Sequence, residues 1–116
     1  MENLTADEVE LLSFFEVEPK RLDPDIAWPY NNFTYEVQLG QYRITFSISP
    51  AYKDLSFDIL HNGAEIYKFS AQSVKDIRYL KSEGHEALEI LITDRNTIRL
   101  QVRPFLSIKQ NVSNET

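Results

Sequence analysis

Two histidines and a pair of loop carboxylates are the residues of this chain whose types best suit chemistry. A histidine base needs an orienting partner and a concave site to receive a substrate. His61 and His85 both fall at predicted hairpin turns, far from any pooled acids, so neither is a candidate catalyst. Metal binding requires clustered His or carboxylate ligands, and the sequence has no such spacing. In "RLDPD", Asp23 and Asp25 stand two apart in a loop. They could meet a cation, although solvated loop acids are far commoner. The chain has neither a Gly-rich phosphate loop nor a nucleophile elbow. No catalytic, cofactor-binding or metal-ligating residue emerges.

The aromatic residues offer more. Tyr35, Tyr42, Tyr67 and Tyr79 fall on the apolar side of predicted strands. Convergent hydroxyls in an apolar cavity would make a small-molecule site. Tyrosines near a rim, with buried rings and wet hydroxyls, explain the same pattern without a ligand. The second reading is preferred, because small barrels are normally filled by their own side chains.

The stretch "LDPDIAWPYNNF" holds the only Trp and two of the five prolines. It lies in a connection of about residues 18–32 that is too long for an ordinary loop and too apolar for disorder. Pro24 and Pro29 stiffen it into an extended strap. Trp28 either closes one end of the core or, with Tyr30, faces outward as an interface anchor. Trp28, Tyr30, Asp23 and Asp25 are therefore the candidate interface residues.

These residues must be positioned by a small set of elements. "LTADEVELLSFFE" predicts a helix over about residues 5–17, capped by Thr5 with Glu8 reaching back. Leu4 and Val9 would form its hydrophobic staple, and Pro19 ends it. A β-meander then runs over about residues 33–103. Its first hairpin turns at Gly40-Gln41 and sets Leu39, Val37, Tyr35 and Phe33 opposite Tyr42, Ile44, Phe46 and Ile48. The second turns at Asn62-Gly63 and needs a bulge to pair Phe57 with Phe69 and Ile59 with Tyr67. The third pairs Arg78 with Glu89 and Ile77 with Ile90 across Glu83-Gly84. The fourth turns through Asp94-Arg95-Asn96, with Asn96 left-handed, and sets Ile92 opposite Ile98 and Ile90 opposite Leu100. Leu60, Ile66, Leu80 and Leu91 fall on the other face, where they could form a small patch. The polar residues 109–116 form a frayed tail. The expected fold is mainly β (α+β) in one domain, residues 1–116. It is a seven-stranded antiparallel meander, curled or closed into a partly open barrel, with one N-terminal helix.

Composition narrows the function. The chain has 116 residues, no cysteine, and a net charge of −6. The lack of thiols fits a reducing compartment, and the acidic start "MENLTADEVELL" is unlike a secretory signal. A cytoplasmic protein is expected, binding neither nucleic acid nor membrane, since an acidic surface repels both. The leading expectation is a non-enzymatic protein-binding module, an acidic inhibitor or immunity-like protein for a basic partner. The alternative is a binder of a small apolar ligand within the curled sheet. Uncovered strands at the two ends of the meander would also permit a homodimer through strand addition.

Overall fold

The computed structural model describes residues 4–23 and 25–113, so Pro24 and the last three residues of the expected tail lie outside it. Helix α1 spans Glu8–Phe15 and starts later than expected. Its cap is Asp7, which accepts from the Glu10 amide at 2.8 Å while Glu10 accepts from the Asp7 amide at 3.2 Å. Thr5 is occupied elsewhere: its amide and hydroxyl donate to Asp76 at 2.8 and 2.5 Å. Leu4 is buried but forms no staple with Val9, which is exposed. Glu16 ends the helix in the left-handed region (φ 57°), its amide returning to the Leu12 carbonyl.

Nine strands follow in two antiparallel sheets, rather than seven in one. The first sheet holds β1 (Lys20–Arg21), β2 (Phe33–Leu39), β3 (Tyr42–Ser49), β4 (Asp54–His61) and β5 (Ala64–Ala71). The second holds β6 (Asp76–Ser82), β7 (His85–Thr93), β8 (Asn96–Arg103) and β9 (Ser107–Val112). The class is as read from the sequence, mainly β with one helix, but the curled single sheet is replaced by a broken meander. The break lies between β5 and β6. Ser73 there takes a left-handed φ of 52° and gives its amide to Asp54. The Val74 amide then bonds the Lys53 carbonyl, and the Lys75 amide crosses to Leu91 in the second sheet. Those three bonds steer the chain off the first sheet before a fifth ladder can form.

Three hairpins have the registers read from the sequence. Phe33, Tyr35, Val37 and Leu39 face Ile48, Phe46, Ile44 and Tyr42. Gly40 supplies the positive φ of 61° that the turn demands. Phe57 faces Phe69 and Ile59 faces Tyr67, with the bulge between Ile59 and Leu60. Ile77 faces Ile90 and Arg78 faces Glu89.

The fourth hairpin differs by two residues. Ile98 faces Ile90 and Leu100 faces Leu88, because Thr93 and Asn96 close a shorter turn and bulges absorb the extra residues. Asn96 is not left-handed. A slip of two keeps every side chain on its own face, so the core is unaffected.

The two ends of the expected meander are partly covered. β1 covers the start of β2, and β9, formed from part of the expected polar tail, covers β8. The β6 edge is met by the Ala6 amide, which donates to the Ile77 carbonyl. Among the described residues, β5, β6 and β9 each have a neighbouring strand on one side only.

Both sheets and α1 share one core. Leu11, Phe14 and Phe15 enter it from the helix, and every inward residue read from the alternation belongs to it or packs on it. Phe15 stacks on Tyr35 at 4.5 Å and meets Phe46 at 5.0 Å, and Phe57 continues the row. The four outward apolar residues form no single patch, because Leu60 and Ile66 lie on the first sheet and Leu80 and Leu91 on the second.

Candidate partner-binding face

The strap is anchored first by backbone. Lys20 and Arg21 pair with Thr34 and Phe33, and the Leu22 amide donates to the Asn32 carbonyl at 3.0 Å. Beyond Leu22 the chain leaves the sheet and Asn31 takes over. Its side-chain amide donates to the Asp23 and Ile26 carbonyls at 2.6 and 3.1 Å. Its oxygen accepts from the amides of Asp23 and Asn32 at 3.2 and 2.8 Å. Two donors and two lone pairs are the full capacity of an asparagine side chain, so buried Asn31 is completely satisfied.

The candidate residues fall on this frame with different duties. The Asp23 carboxylate accepts from the Asp25 amide at 3.0 Å, an internal turn contact rather than a cation site. Asp25 is exposed. Trp28, Pro29 and Tyr30 form a short 3-10 turn. The Trp28 ring lies 4.4 Å from Phe33 and is half-buried, while Tyr30 is 68 % exposed. Trp28 thus closes one end of the core, and Tyr30 is the residue presented to solvent. Asn31, on which the loop depends, was not among the residues singled out by type.

The tyrosines do not converge on a cavity. Tyr35 is buried beneath Phe15, and burial, with Glu8 nearby, raises its hydroxyl above the ordinary range. Tyr42 and Tyr67 are half-buried, and Tyr42 meets the His61 ring at 4.7 Å, tilted by 42°. Tyr79 donates to Glu86 at 2.5 Å. Arg103 also donates to Glu86 and to the Ser13 and Phe14 carbonyls at 3.2 and 2.7 Å. It reaches Glu16 at 3.3 Å.

Hydrogen bonding from Arg103 holds the Glu86 carboxyl down to about 2, against burial and helped by Tyr79. Burial and the bond to Glu86 push Tyr79 up to about 12. Perturbed groups often mark active sites, but here Tyr79 and Glu86 are spent on each other and on Arg103, and Arg103 reaches the helix. The trio clamps the C-terminal end of α1, where exposed carbonyls favour a cation, onto the second sheet. Among the described residues, no three His, Asp or Glu side chains gather as a metal site, and no helix is long and apolar enough to cross a membrane.

No family model and no curated protein matches the sequence. A solved structure does match the fold: a chain of the contact-dependent growth inhibition toxin–immunity protein complex from Klebsiella pneumoniae 342. The similarity covers 92% of this chain and 94% of that one, with a TM-score of 0.76 and 25% identity.

Proposed function

We propose that this chain is a non-enzymatic, immunity-like protein that acts by occupying the surface of a basic protein partner, with Tyr30, Asp25 and the Trp28 turn in the contact. The observation that carries this reading is the full-length likeness to a chain of a toxin–immunity protein complex. Of the two roles in such a complex, the immunity role fits better. A toxin enzyme needs a poised acid, base or nucleophile in a cleft. Of the strongly perturbed groups here, Glu86 and Tyr79 are instead tied into a structural clamp, and Tyr35 is buried in the core beneath Phe15. The net charge of −6 favours a basic partner and a cytoplasmic site of action away from anionic surfaces.

The test is affinity capture with the tagged full chain from its native cells, at low and at high salt. A specific basic protein should be retained at low salt and lost as salt rises. Produced alone, that protein should stop growth. Produced together with this chain, it should be harmless. Capture of nothing at either salt, or of a protein whose effect this chain leaves unchanged, sinks the proposal.

A further inference from the structure

Charge is divided unevenly along the chain. Residues 1–32 carry eight acidic side chains against two basic ones, whereas residues 33–116 carry ten of each. The entire net charge of −6 therefore falls within residues 1–32 of the sequence, and the rest of the chain is neutral in sum. Glu18 and Asp25, both exposed, meet no cation among the described residues.

The same layer is unusually apolar on its outside. Val9 and Leu12, one turn apart on α1, face solvent, as do Leu22, Ile26 and Tyr30. Between α1 and the start of the strap runs a groove of about 280 Å³, lined by Val9, Leu12 and Pro19 with Glu8, Glu18 and Arg21 beside them. Side-chain contacts lead from it to the Trp28 turn. Arg21 bonds Glu8 at 3.1 Å and lies 5.4 Å over Phe33, on which Trp28 packs. Exposed large apolar side chains on the remainder, Tyr52, Ile66, Phe105 and Val112, belong to separate loops and strands.

An apolar centre with a charged rim is the anatomy of a protein interface. We infer that the outer side of α1 and the strap form one docking face, whose occupant is a cationic protein surface. It sets an apolar side chain into the groove and lysines or arginines against Glu18 and Asp25. This rests on the protein-binding reading above and assigns it a place. A second copy is the wrong occupant. A two-fold contact through this face would oppose Glu18 and Asp25 to the same acidic surface on the other copy.

The experiment is site-specific photocrosslinking in native cells. Benzoylphenylalanine replaces Leu12, Tyr30, Ile66 or Phe105 one at a time, each exposed, with thermal unfolding used to confirm the fold. Adducts are expected from positions 12 and 30, to a protein richer in Lys and Arg than in Asp and Glu. The double change Glu18→Lys/Asp25→Lys should cut their yield about tenfold or more, as should high salt. Adducts from positions 66 or 105 alone would overturn this face while leaving the protein-binding reading intact. An adduct to a second copy, or to an acidic protein, overturns the occupant. Silence at all four positions defeats both.

Discussion

In the two sheets, backbone groups are paired along ladders and side chains alternate between core and water. In residues 16–32, apart from the two-residue strand β1, such groups among the described residues are satisfied one at a time, as by the Glu16 cap, the Leu22–Asn32 bond and the four contacts of Asn31. The sheets balance their charges in cross-strand pairs such as Glu89 with Arg99 at 3.1 Å. In the layer, Glu18 and Asp25 meet no cation among the described residues. Exposed ion pairs contribute little to stability, so the difference costs the fold almost nothing. What it changes is which side of the molecule can attract a partner.

The comparison breaks most severely at Phe15, the residue that joins layer to sheets through its contacts with Tyr35, Phe46 and Phe14. Phe15→Ala should lower stability by about 3–5 kcal/mol, the usual loss for truncating a buried phenylalanine. Urea unfolding followed by far-UV and near-UV signals should still show one transition. If the helix came away first, the layer would be a separate unit and the shared core would be wrong.

Glu86→Gln attacks the second joint and should cost about 2–3 kcal/mol, because it leaves Arg103 and Tyr79 with a poorer acceptor. Acid sharpens the test. Glu86 titrates near 2 when folded, against about 4.3 for a glutamate in the unfolded chain. Its contribution is therefore complete above the unfolded value and lost as pH falls from about 4.3 towards 2. Stability of the parent chain should drop through that window more steeply than that of Glu86→Gln. Parallel curves would remove Glu86 from the joint.

The two regions also differ in how well they can be read. The β2–β3 and β6–β7 registers were legible because alternation and turn residues agree, and for β4–β5 the alternation itself demanded the bulge. The β7–β8 register was not, because a slip of two leaves Ile90, Ile98 and Leu100 on the same face, and only the turn at Thr93–Asn96 decides it. Strand β9 has Ile108 as its one core-facing apolar residue, so backbone pairing at an edge creates it without a pattern. The start of α1 was read as a capping box of Thr5 with Glu8, whereas the folded chain uses Asp7 with Glu10. Asp76, 71 residues away from Thr5, makes the choice. In the strap, Trp28 and Tyr30 stand out by residue type. Asn31 does not, since its role appears only when the loop has closed around it.

Asn31→Ala should therefore act on the layer alone. Loss of four satisfied contacts costs about 1–3 kcal/mol, expressed as local opening. Hydrogen exchange should quicken at the Asp23 and Asn32 amides and leave the β3 and β8 amides unchanged. Trp28 emission should shift red as its ring lifts from Phe33. Equal acceleration in both sheets would mean that the strap is part of the global cooperative unit, and the contrast between regions would fail.

The smallest effect on the fold should come from Tyr30→Ala. A side chain 68 % exposed has little to lose, and surface changes of this kind stay within about 0.5 kcal/mol. Its exposure is nevertheless held in place, because the 3-10 turn from Ala27 and the buried Asn31 fix the backbone on either side. A rigid ring presented at little entropic cost is the kind of residue that dominates an interface. Titration calorimetry with the captured partner should show at least a tenfold loss of affinity for Tyr30→Ala, about 1.4 kcal/mol, beside an unchanged unfolding midpoint. Tyr52→Ala, equally exposed in the β3–β4 turn, should change neither. Should the two variants bind alike, the acidic layer would be no more than a surface.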